Sequence, residues 1–369
     1  MRQLRIGVNA LYLIPGGVGG TEIYLRNLLR ALAEIDDTNE YVLFTNRETG
    51  RDLAPGQANF RVAAQSVHAS FRPVRILWEQ FVLPPAIAGQ HLDVLLNPGF
   101  TAPLLCGCPQ VTVFHDLQHK RHPEYFRWFD LPFWRFLLFW SAHISYSLIA
   151  DSMATRADLM QFYRLPDDKI RAIPLGVDPR FFEIAQSRRP EPFLLSVSTL
   201  HPHKNLDRLL RAFAVLHRAR PEFRLVAAGL RGFEAANLER LRQSLGLADH
   251  VEFTGWIPRG DLYSLYARAF AFVYPSTFEG FGLPVLEALA AGVPTACSNI
   301  EPLASTAGDA ALRFDPQDDR ALLDAMMQLV SDEGLRAQLA AAGPQRAALF
   351  SWKTTARLTR DALVQAARE

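Results

Sequence analysis

Short apolar segments alternate with helix-length segments along both halves of this chain, and this alternation restricts its fold more than any other feature. In the first half, strands are predicted at residues 5–12, 41–45, 60–64, 94–97, 110–114, 147–151 and 170–173. In the second half, they are predicted at 193–198, 224–228, 251–253, 271–274, 295–297 and 311–314. Strands that alternate with helices form parallel sheets with helices on both faces. The pattern therefore predicts an α/β protein with two doubly wound, Rossmann-like sheets.

The chain length also indicates two domains, because 369 residues exceed what a single hydrophobic core usually holds. Proline-bearing segments at 174–179 and 186–192 mark the boundary. We predict an N-terminal domain over residues 1–180 and a C-terminal domain over 181–349. Ligands of such sheets bind at the carboxyl ends of the strands, so the functional site is expected there.

Composition excludes several classes of function. The content of 49% hydrophobic and 21% charged residues is typical of a folded globular protein, and a net charge of +1 gives no indication of nucleic-acid binding. The three cysteines form neither a disulfide framework nor a zinc-ligand pattern. A reducing, cytoplasmic location is therefore expected.

Residues 131–150 are largely apolar and approach the length of a membrane-spanning helix. Arg135 and His143 interrupt this segment, and residues 141–150 are predicted to form a turn and a buried strand, so a spanning helix is not expected. The favoured interpretation is a core helix of the first domain. The alternative is a helix lying against a membrane surface, because Trp, Phe and Arg together suit that interface.

Glu279 and Glu287 flank a glycine-rich turn that leads from an apolar run into a predicted helix. Pro284 suits the first helical turn, and Gly292 suits the position after the last one. The free N–H groups at a helix N-terminus favour phosphate, and carboxylates accept hydrogen bonds from hydroxyls. The segment therefore predicts a site for a nucleotide sugar. An ordinary strand, turn and helix with two solvated acids is the alternative.

Residues 276–294 resemble the signature of retaining glycosyltransferases of the large GT-B "group 1" family, nearest in pattern to bacterial mannosyltransferase-type members. The resemblance implies the GT-B fold, in which two Rossmann-like domains face each other across a cleft. It implies that Glu279 touches the transferred sugar, that Glu287 holds the ribose, and that the loop amides around Phe281, Gly282 and Leu283 bind the phosphates. It also implies that residues 350–369, with Trp352, form a helix that crosses back to the first domain.

A glycine-rich loop follows the first strand and includes Gly16, Gly17 and Gly19. It ends in Glu22 where the dinucleotide motif requires a third glycine, which argues against NAD and FAD. Such loops also have purely structural uses. The loop is similar to the one by which this family approaches the donor diphosphate, so the resemblance implies that these three glycines contact the donor.

His115 and Asp116 end an apolar strand. A lone histidine at this position is usually structural. The sequence His-Asp-Leu nevertheless resembles the family's pattern, which implies that His115 contacts the donor sugar near the reacting carbon and that Asp116 supports it.

Lys204 precedes a predicted helix in the second domain, where an ammonium group can neutralise a diphosphate leaving group. The resemblance places a second cation nearby, but Thr199 stands where the family often has Arg, and His203 replaces the Arg of another variant pattern. His201 or His203 would supply that charge only when protonated. The segment Gly255, Trp256 and Ile257 resembles the one that packs the nucleobase.

These features predict a retaining transferase that moves a sugar from a nucleotide-diphosphate donor, with GDP-mannose favoured, to an acceptor hydroxyl in bacterial polysaccharide or glycolipid assembly. Neither metal nor another cofactor is expected, because no Asp-x-Asp motif ends a strand. The acceptor is a glycan or a lipid-linked molecule, and contact with the cytoplasmic face of the membrane is an open alternative. The competing functions are a phosphorylase or epimerase on the same fold, and a nucleotide-sugar-binding partner without catalysis.

Overall fold

The computed structural model describes residues 2–17 and 19–368, and its secondary structure is α/β as predicted. The chain divides into two compact units. Unit 1 comprises Met1–Gly176 with Ser351–Glu369, and unit 2 comprises Val177–Phe350. Each unit is described by itself.

Unit 1 contains a sheet whose strands are all parallel. Within the described residues, the strands are β1 (Arg5–Asn9), β2 (Glu40–Phe44), β3 (Phe60–Val62), β4 (Val94–Asn97), β5 (Gln110–Phe114), β6 (Ser147–Ala150) and β7 (Ile170–Ala172). Their order in the sheet is β3-β2-β1-β4-β5-β6-β7. The direction of chain progression reverses between β1 and β4, which is where a doubly wound sheet opens a crevice for a ligand.

Helices cover this sheet. They are α1 (Gly20–Ile35), α2 (Arg72–Leu77), α3 (Leu83–Ala88), α4 (Gln118–Arg121), α5 (Leu131–Ile144) and α6 (Met153–Tyr163). A π-helix, Trp78–Val82, joins α2 to α3, and short 3₁₀ turns occur at Pro123–Tyr125 and Asp167–Lys169. The C-terminal helix, Trp352–Ala366, belongs to unit 1 and packs on α1. Its Trp352 ring meets the Tyr24 ring edge-on at 6.1 Å.

Unit 2 repeats the architecture with a second parallel sheet. In the part of unit 2 that the structure describes, the strands are β8 (Phe193–Val197), β9 (Arg224–Ala228), β10 (Val251–Gly255), β11 (Ala271–Tyr274), β12 (Thr295–Ser298) and β13 (Leu312–Phe314), in the order β10-β9-β8-β11-β12-β13. The helices are α7 (Arg180–Ser187), α8 (Leu206–Ala219), α9 (Ala235–Ser244), α10 (Arg259–Arg268), α11 (Leu283–Ala290), α12 (Leu303–Ala307), α13 (Asp319–Ser331) and α14 (Glu333–Ala347), with 3₁₀ turns at Pro202–Lys204 and Gly308–Ala310. The reversal point here lies between β8 and β11.

The structure corrects the prediction for residues 141–150. Helix α5 continues to Ile144, so only Ser147–Ala150 form a strand. The expectation of an ordinary core helix is also incomplete. Leu138 and Ala142 are buried against β6 and α6, but Phe133, Phe136 and Trp140 are exposed to solvent. Among the described residues, no helix combines the length and apolar character needed to cross a membrane.

Candidate active site

The glycine-rich turn between β11 and α11 requires its glycines. Gly282 is the residue before the helix and has φ of 103°, in the left-handed region. A Cβ at this position would lie 2.4 Å from Cδ2 of Leu303, so a side chain is excluded by space as well as by backbone conformation. Pro284 occupies the first helical turn as predicted, and Gly292, with φ of 63°, donates its N–H to the Leu289 carbonyl at 2.9 Å. Pro284 has no N–H, and Val285 donates to the Gly282 carbonyl at 3.1 Å. The turn therefore presents the N–H groups of Gly282 and Leu283, which have no partner within the helix.

Lys204 and Glu279 form an ion pair at the reversal point of the unit 2 sheet. The Lys204 Nζ lies 2.6 Å from Glu279 Oε1 and also donates to the Tyr274 hydroxyl at 3.2 Å. Both charged side chains are close to nine-tenths buried. They meet because Lys204 follows β8, Glu279 follows β11, and these two strands are neighbours in the sheet. The structure thus joins two of the three predicted catalytic residues.

Asn205 fixes the backbone that carries Lys204. Its φ of 57° lies in the left-handed region, and its side-chain amide donates to the carbonyls of Pro275 and Pro316 at 3.1 and 2.9 Å. The same loop is tied to the start of the Glu279 segment, because the His203 carbonyl accepts the Thr277 N–H at 2.7 Å. These bonds hold the Lys204 and Glu279 loops in one arrangement.

Glu287 is buried one turn into α11 and has a partner that the sequence analysis missed. The Arg259 guanidinium lies 2.8 Å from Glu287 Oε1, and the buried Tyr266 hydroxyl donates to Oε2 at 3.2 Å. Burial lowers the pKa of Arg259, but the negative charge of Glu287 outweighs this effect and leaves that pKa raised. The ion pair and the Tyr266 hydrogen bond therefore hold the Glu287 carboxylate in a fixed position.

Arg259 is itself fixed by aromatic residues. Its guanidinium stacks 5.0 Å from the Phe181 ring and 5.2 Å from the Tyr263 ring, and its Nε donates to the Tyr263 hydroxyl at 3.3 Å. That hydroxyl donates in turn to Asp178 at 2.5 Å. Arg259 begins α10 directly after Pro258, so it also follows the segment predicted to pack the nucleobase. A strand end followed by Pro-Arg at a helix start was the available sequence signal.

The remaining predicted donor residues of unit 2 lie at strand ends. Gly255 ends β10 with φ of 70°, and its carbonyl accepts the Gly229 N–H at 3.1 Å. Trp256 is more than half exposed. Phe281 is buried, and its carbonyl accepts from Thr306 at 3.2 Å. No hydrogen bond or ring contact shown in the described residues joins Trp256 or Ile257 to Lys204 or Glu279, so their part in the site stays a prediction.

His201 does not supply the second positive charge that was expected beside Lys204. The rings of His201 and His203 stack with centroids 5.8 Å apart, and the Thr199 carbonyl accepts the His201 N–H at 2.8 Å. Burial, followed by the positive charge of Lys204, lowers the pKa of His201. A neutral His201 at physiological pH supplies no second cation, whereas Arg259 is a permanent one in the same unit.

In unit 1, the predicted glycine loop is closed by its own glutamate. Gly16 has φ of 70° and donates its N–H to Glu22 Oε2 at 2.7 Å. Arg26 binds the other oxygen of Glu22 at 2.8 Å. Gly17 donates its N–H to the Ile14 carbonyl at 2.8 Å, whereas a Cβ on Gly19 would meet open space. The glutamate that replaces the third glycine of the dinucleotide motif therefore holds the loop together.

His115 lies at the end of β5, buried, with both ring nitrogens bonded. Nδ1 lies 2.6 Å from Asp151 Oδ2, and Nε2 lies 2.9 Å from the Pro98 carbonyl. The carboxylate on Nδ1 is Asp151, whereas Asp116 accepts the Gln118 N–H at 2.8 Å and acts on the ring through its charge. The supporting role of Asp116 stays a prediction. A sugar contact through Nε2 would have to replace the Pro98 carbonyl. That contact stays a prediction.

The His115 ring contributes a pH-dependent stability. Burial lowers the pKa of His115, but the charge and hydrogen bond of Asp151 outweigh it, so the folded-state pKa is raised. Stabilisation by the charged ring is complete below the unfolded-state pKa of about 6.5 and is lost as pH rises through the raised folded-state value. We expect the urea midpoint to fall more steeply with rising pH in the wild type than in His115→Gln. Parallel profiles would contradict this assignment.

A second buried network was missed in unit 1, at the reversal point between β1 and β4. Glu79, in the π-helix, accepts from Asn9 at 3.2 Å and from Thr101 at 2.7 Å, and Asn9 also donates to Asn97 at 3.1 Å. Burial raises the pKa of Glu79, partly offset by Arg75, which lies 3.7 Å away. Arg75 is buried in this pair.

Comparison with known proteins identifies the family of this chain. The family described as "Glycosyl transferases group 1" matches residues 178–346, and "Glycosyltransferase Family 4" matches residues 18–181. The "O-antigen chain mannosyltransferase B" of Escherichia coli is 31% identical over 254 residues, covering 66% of this chain and 67% of that protein. This chain belongs to the group 1 glycosyltransferases. The prediction of the family is confirmed.

Two further proteins are similar over different extents. The "serotype-specific mannosyltransferase WbdA" of Escherichia coli is 30% identical over 242 residues, which is 60% of this chain but only 29% of that longer protein. The crystal structure of Anabaena HepE in complex with UDP-glucose superposes with a TM-score of 0.74 at 18% identity, covering 98% of this chain and 100% of that one. The GT-B fold is thus confirmed, and the chain is a glycosyltransferase.

Proposed function

We propose that this glycosyltransferase moves a hexose from a nucleotide-diphosphate donor, with GDP-mannose favoured, to an acceptor hydroxyl with retention of anomeric configuration. The observation that carries the proposal is the Lys204–Glu279 pair, 2.6 Å apart beside the N-terminus of α11. A cation, a carboxylate and free helix amides at one sheet edge match the charges of a sugar joined to a diphosphate.

Each group has unused hydrogen-bonding capacity for the donor. An ammonium group has three protons, and Lys204 directs them to Glu279 and Tyr274 with one left for a diphosphate oxygen. The second oxygen of Glu279 can accept from a hydroxyl of the transferred sugar. Each oxygen of Glu287 has one protein partner and a further lone pair for a ribose hydroxyl.

The proposed chemistry follows from these positions. As the glycosidic bond breaks, negative charge grows on the diphosphate, and Lys204 together with the α11 N-terminus stabilises it. The acceptor hydroxyl attacks the face that the leaving group vacates, and the departing phosphate takes its proton. Glu279 orients the sugar rather than forming a bond to it. Neither a metal nor a cofactor has a role in this scheme.

The donor preference has support from relatives. Both Escherichia coli proteins described above are named as mannosyltransferases, which favours GDP-mannose, whereas the Anabaena structure holds UDP-glucose. The acceptor is proposed to be a glycan or a lipid-linked molecule, because one of these relatives is named as an O-antigen chain mannosyltransferase.

A panel of GDP, UDP, ADP and dTDP, each with and without EDTA, tests the proposal by thermal stabilisation of the purified chain. We expect GDP to raise the melting temperature equally with and without EDTA, since a ligand that binds only the folded state stabilises it by mass action. The matching nucleotide sugar is then supplied with candidate acceptors, and the anomeric configuration of the product is read by NMR. Stabilisation by UDP alone would overturn the donor preference, and an inverted product would overturn retention. If the chain binds the nucleotide but transfers sugar to none of the acceptors tested, the result would favour a nucleotide-sugar-binding partner without catalysis.

A further inference from the structure

Unit 1 exposes two ridges of large apolar side chains, here called the aromatic face. The first ridge surrounds α5 and comprises Trp128, Phe129, Phe133, Phe136 and Trp140. The second follows α2 and the π-helix and comprises Phe71, Val74, Leu77 and Phe81. Each of these side chains is between 43% and 83% exposed, although large apolar groups clustered on a surface are uncommon in proteins that meet only water.

Helix α5 has one exposed aromatic side and one buried side. Phe133, Phe136 and Trp140 recur every three or four residues of α5, so they share one side of the helix. Leu138 and Ala142 on the other side are buried with residues of β6 and α6. The helix is thus already anchored to its own core. Its aromatic side is additional apolar surface that the fold does not use.

Arginine links the two ridges. The Arg72 guanidinium, at the start of α2, stacks 3.6 Å from the ring of Trp134 on α5. Arg127 stacks 5.9 Å from the Phe129 ring at the other end of the first ridge. Among the ion pairs of the described residues, neither arginine has a carboxylate within 4 Å. Asp130 acts on Arg72 only from a longer distance.

We propose that the aromatic face docks this chain peripherally on an anionic lipid bilayer. Phe133, Phe136 and Trp140 enter the boundary between headgroups and acyl chains, while Arg72 and Arg127 remain at the level of the lipid phosphates. Aromatic rings bordered by arginine suit this boundary, because the rings are apolar and the guanidinium groups bind phosphate. All of these residues belong to unit 1, so membrane docking does not depend on the identity of the sugar donor.

The charge of the aromatic face favours an anionic bilayer over a second copy of the chain as its partner. A two-fold interface uses the same patch on both copies, so it would bring two sets of Arg72 and Arg127 together. Asp130 acts on Arg72 through its negative charge. One such carboxylate against the two guanidinium groups of Arg72 and Arg127 still leaves a positive charge on each copy. An anionic bilayer offers the complementary charge without that repulsion.

Vesicle co-sedimentation of the full chain tests the proposal. The vesicles contain phosphatidylcholine with about 30 mol% phosphatidylglycerol, a content that gives a negative surface potential. We expect Phe133→Ser/Phe136→Ser/Trp140→Ser to bind at least about tenfold more weakly than the wild type, since three apolar insertions are lost. The matched control is Val215→Ser/Leu349→Ser, which removes exposed apolar groups from unit 2 and should bind as the wild type does.

The arginines have their own expected effect. Arg72→Gln and Arg127→Gln should each weaken binding about fivefold at low salt, and high salt should reduce this difference through screening. Quenching of wild-type tryptophan fluorescence by brominated lipid gives a second measurement that needs no variant. Any of four results would overturn the proposal: no wild-type binding, equal binding of the triple variant, equal binding to pure phosphatidylcholine, or a dimer in solution that the triple variant abolishes.

Discussion

Replacement of Lys204 by Met is expected to lower kcat for sugar transfer by about 10²- to 10³-fold, the size of effect seen when one preorganised group that stabilises a developing anion is removed. The ammonium lies 2.6 Å from Glu279 in a nearly buried setting, where a charge acts more strongly than in water. Methionine retains the length and apolar stem of lysine. The loss is therefore attributable to the charge, and it is measured by initial rates at saturating donor and acceptor.

Arg208→Met is the matched control for this variant. Arg208 lies in the first turn of α8, four positions after Lys204, and its cation pairs with Asp319 at 2.5 Å in an exposed setting. An exposed pair contributes little, so this variant should keep kcat within about threefold of the wild type. Urea unfolding of both variants shows whether the Lys204 effect is a loss of fold. An intact Lys204→Met protein with nearly full kcat would refute the proposed role of the ammonium.

The strand pattern of this chain was predictable because most strands are short apolar runs, and those at the centre of each sheet are buried on both faces. Both sheets were expected from those runs, and every predicted strand region contains an observed strand. Helix α5 was harder to predict. Its composition is apolar on all sides, and a sequence does not show which side another element covers. The aromatic face follows from packing, because Leu138 and Ala142 lie against the core whereas Phe133 and Phe136 are exposed.

Contacts between charged side chains within each unit were predictable only from the order of the strands in its sheet. Asp116 is adjacent to His115 in sequence and was predicted to support it, but the carboxylate bonded to the His115 ring is that of Asp151. Strands β5 and β6 are neighbours, with Phe114 beside Ala150, so the next residue of each strand meets its counterpart across the sheet. The same rule explains the Lys204–Glu279 pair at β8 and β11. Local motifs identify the residues, and sheet order determines which of them touch.

Arg259 was not predictable by either route, because its contact with Glu287 depends on how two helices pack. Helix α10 precedes β11 and α11 follows it. Their side chains meet through Tyr266, whose hydroxyl reaches both the Pro284 carbonyl and Glu287. The Pro258-Arg259 sequence marks a cation at a helix start, but a single sequence does not show which carboxylate that cation meets. Arg259 nevertheless gives the proposed donor site a permanent cation that His201 does not provide.

Removal of Glu287 should mainly reduce nucleotide binding, whereas removal of Arg259 should mainly reduce the free energy of unfolding. Glu287→Ala is expected to abolish thermal stabilisation by the donor nucleotide, because its carboxylate is the proposed partner of the ribose. It leaves Arg259, whose side chain is 32% exposed and can turn toward water, so the loss of stability should be about 1 kcal/mol. Arg259→Ala instead leaves the Glu287 carboxylate, only 5% exposed, without its cation. An uncompensated buried charge costs about 3–5 kcal/mol of unfolding free energy.

The two single variants and the double variant, measured by urea unfolding and nucleotide titration, form one thermodynamic cycle. Because each single variant leaves a partner unpaired, the double variant should be more stable than Arg259→Ala alone. Arg259→Lys is the conservative comparison: it should recover most of the stability while nucleotide affinity recovers only partly, since lysine lacks the planar fork that stacks between Phe181 and Tyr263. If Arg259→Ala unfolds at the wild-type urea concentration, the ion pair does not hold Glu287 in place, and the carboxylate must be positioned by Tyr266 alone.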